Sequence, residues 1–230
     1  MLAALTHPIP DSLHTAIDGA LVLVLLLNLA MLATSRLATC IRLFSFQCLV
    51  ISVLPIAAAT ASDAIGIHGF FLMGGTVVLK VFLIPFILLR VIRTGDIQRE
   101  VQPYLGFTGS VVVGAMMIGG AFALSSRLVL PGQAMSTLLI PVAISTLLIG
   151  LLILVSRYKA ITQVVGYLVL ENGIYLFGLS LLHAMPLLVE LGILLDVFVG
   201  VFVMAIVVYH IRQEFDHMDT QNLAPMKEPA

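Results

Sequence analysis

The chain has 230 residues, 60% of them hydrophobic and 10% charged, with a mean hydropathy of +1.15 and a formal net charge of −1. A soluble domain carries about 25% charged residues, so the composition excludes an ordinary water-solvated enzyme domain and makes lipid the solvent. No basic patch extends beyond short loops, which argues against a nucleic-acid partner.

Apolar runs of about 20 residues predict an all-α polytopic membrane protein with seven spans, over 13–33, 43–61, 68–92, 107–126, 136–156, 161–182 and 185–211. No Lys or Arg precedes the first run, so it reads as a retained span rather than a cleaved signal peptide. Asp96, Arg99 and Pro103 break the third run from the fourth. Pro131-Gly132 separates the fourth from the fifth, and Arg157 and Lys159 the fifth from the sixth. His183 to Pro186 makes a tight turn before the last run, with Pro186 suited to a first helical turn.

The cations set an orientation. Arg36, Arg42, Arg90, Arg93, Arg99, Arg157, Lys159, Arg212 and Lys227 all fall on one side of the predicted topology, and only Arg127 falls on the other. Nine against one is a strong positive-inside bias, placing the N-terminus outside and the C-terminus in the cytoplasm. The expected parts are a four-helix region (1–130), a three-helix region (131–212) and a polar cytoplasmic tail (213–230) with Glu214, Asp216 and Asp219.

Cys40 and Cys48, eight residues apart, match no zinc, haem or iron–sulfur spacing and read as small apolar fillers. The six histidines are scattered near span ends, and no glycine-rich phosphate loop appears, so neither a metal nor a cofactor is expected. In span four, Gly106, Ser110 and Gly114, and beside them Ala115, Gly119 and Ala123, recur every four residues. Small residues at this spacing let helices approach closely, either inside the bundle or against another subunit.

The chemistry lies in ionisable residues inside the apolar runs. Glu171 is in span six, Glu190 and Asp196 are in span seven, and Lys80 is in span three. A charge at mid-membrane costs about 2.5–3.5 kcal/mol on insertion scales, so such residues are usually functional. Gln163, Tyr167, Glu171 and Tyr175 follow i, i+4 spacing and share a helix face. Asn172 and Gly173 follow the carboxylate directly. Gly192 and Gly200 flank Asp196 at the same spacing, and Pro85, lacking an N–H, frees a carbonyl close to Lys80. Two readings follow: a proton relay along Glu171 and Asp196, with Lys80 modulating their protonation and Glu190 nearer an interface, or a Lys80–carboxylate pair, with Glu171 or Asp196, that fixes helix packing.

The stretch Gly166-Tyr-Leu-Val-Leu-Glu-Asn-Gly-Ile-Tyr-Leu-Phe-Gly178 resembles the motif of hydrogenase-4 component E proteins, membrane subunits of group 4 NiFe energy-converting hydrogenases of the formate hydrogenlyase type. Spans five to seven are also similar to the three-helix K-type subunit of bacterial complex I and to the C subunit of multisubunit Na+/H+ antiporters. Leu170-Glu171 matches their middle helix. Asp196, Gly200, His210 and Arg212 match their last helix, with Asp in place of Glu. The resemblance implies that Glu171 and Asp196 belong to a buried carboxylate chain in a membrane arm. It also implies neighbouring antiporter-like and anchor subunits, and through them a NiFe hydrogenase peripheral arm, in a bacterial inner membrane. The connection between the two acids is shorter than in the three-helix subunit, and four extra spans precede the shared part, so no role carries over to those spans or to Lys80. The chain itself would be a non-catalytic subunit. A cation/proton antiporter subunit, a small stand-alone secondary transporter and a purely structural scaffold are the other readings.

Overall fold

The structure is a computed structural model, and it describes residues 11–59, 78–94, 106–128, 136–157 and 160–180. The elements are α1 (Asp11–Ala33), α2 (Leu37–Ala59), a π-helical segment (Val78–Leu83) running into α3 (Ile84–Thr94), α4 (Phe107–Ser125), α5 (Leu139–Ser156) and α6 (Ala160–Ser180). Among the described residues there is no β-strand.

Four of these helices are long and apolar enough to cross a membrane, over Leu13–Ala33, Leu37–Pro55, Phe107–Ser125 and Leu139–Ser156. At about 1.5 Å per residue, 20 residues reach about 30 Å, the thickness of a bilayer's hydrocarbon core. With 21 residues α6 is also long enough, but Thr162, Gln163, Glu171 and Asn172 lower its hydropathy below that of the four. The second helix starts at Leu37 rather than at 43, because α2 runs through Arg42, which sits exposed on its surface. The third predicted span is described only from Val78, where it is π-helical before it becomes α3. The predicted span 185–211 and the tail lie outside the described residues.

Hydrogen bonds between distant residues fix the helix directions. Asp18 near the start of α1 accepts a 2.5 Å hydrogen bond from Ser136 just before α5, and Asn28 donates to Thr146 ten residues further along both chains. The two helices therefore run parallel. Arg157, at the C-terminal end of α5, reaches the carbonyl of Leu32 at the corresponding end of α1. The C-terminal ends of α1 and α5 consequently lie at the same end of the bundle.

α5 and α6 form an antiparallel hairpin that closes backbone to backbone. A Cβ added to Gly150 would land on the backbone of Leu170, and one added to Gly173 would land on the backbone of Leu147; Gly166 faces Leu154 in the same register. Contact at this distance needs glycine, as in close helix pairs of membrane proteins. The expected small-residue seam on α4 is only half used. Ser110 and Gly114 are buried, with Gly114 against Leu32, whereas Ala115, Gly119 and Ala123 are exposed.

The core divides into two apolar halves. One contains Met31, Leu32, Ile41, Phe44, Ile149, Ile153 and Val165, and the other Leu21, Val24, Ile51, Leu54, Val142 and Leu176. Along each of α1, α2, α5 and α6 the step from one half to the other passes a buried polar residue: Asn28, Gln47, Thr146 and Asn172. A polar layer thus crosses the middle of the bundle.

Gly150→Ala and Gly173→Ala are expected to destabilise the chain by about 1–3 kcal/mol each through overpacking, while Gly119→Ala, with nothing within 4 Å, is neutral. Cys40 and Cys48 are the chain's two cysteines and both are buried thiols, so a thiol-reactive dye reads the melting temperature of each variant directly.

Candidate functional site

The site is built on the polar layer. The glycine seam against α5 fixes the rotation of α6 and buries Glu171 and Asn172 together. Lys80 comes from the π-helical segment, which packs against α2. A π turn is rare and tends to occur at functional sites. Here it lies immediately before Pro85, which has no N–H to give to an α-helical ladder.

Lys80 Nζ stands 3.5 Å from Glu171 Oε2, and the residues are 8% and 6% exposed. The separation exceeds the roughly 2.7–2.9 Å of a tight charge-assisted hydrogen bond, so the attraction is largely coulombic. In apolar surroundings that attraction is what makes either charge tolerable. The packing alternative read from the sequence, pairing Lys80 with Glu171 or Asp196, thus has its first member present in the structure.

The rest of the layer is a run of hydrogen bonds. Gln47 Nε2 donates to Asn28 Oδ1 at 2.9 Å, Asn28 Nδ2 donates to Thr146 Oγ1 at 2.8 Å, and Thr146 Oγ1 donates to the carbonyl of Val142 at 2.8 Å. All three side chains are fully buried, and Gln47 Oε1 accepts no hydrogen bond. Asn172 Nδ2 donates to Cys48 Sγ at 3.3 Å, which ties α6 to α2 beside Gln47. Cys48 is therefore a hydrogen-bond acceptor as well as a filler.

The other expected residues divide. Gln163 is half-buried and donates to the carbonyl of Arg157 at 3.0 Å, which places it at the hairpin end rather than beside Glu171. Tyr167 is half-buried, and Tyr175 packs against the apolar half that holds Leu176. Glu190 and Asp196 lie outside the described residues. Arg157 departs most from expectation. The sequence reading places it in a loop among the cytoplasmic cations, but its side chain is 2% exposed, donates to the Leu32 carbonyl at 2.9 Å and lies 4.8 Å from the centre of the Phe107 ring. Asn28, Gln47 and Thr146 were missed as site residues. The amides at 28 and 47 were detectable as isolated polar residues inside apolar runs, whereas a mid-helix Thr carries little signal.

These features define the class: an all-helical membrane protein with a buried ion pair and a polar layer inside its bundle. Over 82% of its length the chain is 26% identical to Uncharacterized protein Rv0085 of Mycobacterium tuberculosis, covering 85% of that protein. It is 36% identical over 86 residues to Hydrogenase-4 component E of Escherichia coli K12 and, to the same extent, to that of Shigella flexneri. This match takes in 37% of the chain and spans 40% of each component E protein. No family model matches the chain, and no solved structure matches it.

Glu171→Gln and Lys80→Met should each destabilise the chain by about 3–5 kcal/mol, since each removes one member of a buried ion pair. The double variant should recover most of that loss, and a double-mutant cycle in detergent measures the coupling. Asn28→Leu, which strands Gln47 and Thr146, is expected to cost about 1–3 kcal/mol in the same melting assay.

Proposed function

We propose that this chain is an integral membrane subunit of an energy-converting NiFe hydrogenase complex, and that Glu171 takes part in moving protons or coupling charge through its membrane arm. The observation that carries the proposal is the buried Lys80–Glu171 pair, set in a polar layer between two apolar halves. The partial similarity to hydrogenase-4 component E supports the setting. In this reading the chain lies in the bacterial inner membrane with its N-terminus outside. Its partners are antiporter-like and anchor subunits, which link it to a hydrogenase peripheral arm.

The physical logic is a switchable pair. The Lys80 ammonium and the Glu171 carboxyl face each other, so a charge change at one is coupled to proton occupancy at the other. Asp196 is the next carboxylate in this scheme, with Glu190 nearer the membrane face. Asn172 supports the position of Glu171 by tying α6 to Cys48 of α2.

The experiment has two parts. Affinity purification through a C-terminal tag from gently solubilised native membranes should recover a NiFe hydrogenase large subunit together with antiporter-like subunits. Recovery of antiporter subunits without a redox protein would favour the antiporter reading, and recovery of the chain alone a stand-alone transporter. In vesicles containing the intact complex, Glu171→Gln should abolish or strongly reduce proton pumping. Full pumping by an intact Glu171→Gln complex would reduce the pair to a scaffold.

A further inference from the structure

Arg157 is a buried cation that the proton-relay reading does not use. Its Nη2 donates to the Leu32 carbonyl, which caps the last turn of α1, and its guanidinium lies over Phe107 of α4. Its Nη1 is buried and makes no hydrogen bond. A guanidinium offers five N–H donors and cannot discard its charge by losing a proton. Among the described residues no carboxylate pairs with it; the ion pair there joins Lys80 to Glu171. A buried charge left in this state is strongly unfavourable, so among the described residues the arrangement lacks an anion.

The structure also holds a place for one. A cavity of about 10 Å³ opens at this end of the bundle, lined by Arg157 together with Thr34, Ser35, Arg36 and Thr162. That is room for about one oxygen atom. Arg36 is exposed and Arg157 buried; both line the cavity together with three hydroxyl-bearing residues and four apolar ones, and no acidic residue is in the lining. This is the chemistry that recognises an oxyanion: paired arginine donors, hydroxyls and no competing carboxylate. The end concerned is the one where the α1–α2 and α5–α6 connections meet, so the ligand lies at a membrane surface.

We infer that Arg157 and Arg36 form a phosphate site that takes one buried oxygen of a phosphate group, supplied by an anionic lipid headgroup or by free phosphate. Basic pockets at the cytoplasmic ends of helix bundles commonly hold lipid headgroups.

The test uses the full chain, purified in detergent and stripped of lipid, with bound ligand counted by native mass spectrometry. Dioctanoyl phosphatidylglycerol should bind saturably at one molecule per chain. Arg157→Gln should weaken it by about tenfold or more, and Arg36→Gln by a smaller factor, as expected for lost charge-assisted hydrogen bonds. If Arg157→Gln does not fold, Arg36→Gln and Ser35→Glu decide, because Ser35→Glu places a carboxylate in the lining and should abolish binding. Inorganic phosphate should compete. Competition at equal affinity assigns the site to free phosphate, whereas lipid binding at least about tenfold tighter assigns it to the headgroup. Non-saturable binding, equal affinity for dioctanoyl phosphatidylcholine, or unchanged binding in both Arg36→Gln and Ser35→Glu would overturn the proposal. Arg157 would then be left to a carboxylate of a neighbouring chain.

Discussion

An ammonium and a carboxylate face each other at 3.5 Å between the two apolar halves of the bundle, and each helps to make the other's charge tolerable there. Their placement depends on backbone features remote from the charges. Gly150, Gly166 and Gly173 let α5 and α6 touch, which sets how far α6 is rotated and where Glu171 stands. A π-helical turn before Pro85 supplies Lys80 from a different part of the chain. The pair and the Gln47–Asn28–Thr146 hydrogen bonds occupy the same level of the bundle, between two apolar halves. The arrangement follows from one rule: with no water to receive them, polar groups inside the membrane must find one another.

Much of this was legible in the sequence because hydropathy is a direct record of burial in lipid. The predicted runs 13–33, 107–126 and 136–156 differ from α1, α4 and α5 by a few residues at most. Glu171 and Lys80 stood out for the same reason, as charges in apolar runs. What hydropathy does not encode is rotation about a helix axis. Gln163 shares a helical face with Glu171 in spacing, yet it bonds to the Arg157 carbonyl at the hairpin end, because two turns of helix separate the residues along the bundle axis. Small-residue spacing likewise marked α4, while the tightest contact formed between α5 and α6, where Gly150 meets the backbone of Leu170, Gly166 that of Leu154 and Gly173 that of Leu147. Arg157 lies between α5 and α6 as its position in the sequence implies, but a cation in a short connection normally reaches water; here the Leu32 carbonyl at the end of α1 and the ring of Phe107 hold it inside.

The two buried cations serve different ends of the molecule. Lys80 neutralises a carboxylate at mid-bundle, where a proton or charge movement would be coupled. Arg157 and Arg36 line a small cavity at one end of the bundle, where the proposed phosphate would supply a counter-charge. In the proposed reading, an internal switch is joined to a surface anchored by its surroundings. That division suits a component of a larger membrane arm, and it places the chemistry in the bundle rather than in loops.

The central claim is that Glu171 changes protonation rather than remaining a fixed half of an ion pair. Infrared difference spectroscopy of the carboxyl stretching region, recorded on the native complex at rest and during turnover and repeated with Glu171→Gln, tests this most directly. The account predicts a protonated-carboxyl band that rises and falls with turnover and is missing in Glu171→Gln. A spectrum in which no turnover-dependent carboxyl band is lost on that substitution would contradict it and leave Lys80–Glu171 as a permanent structural pair.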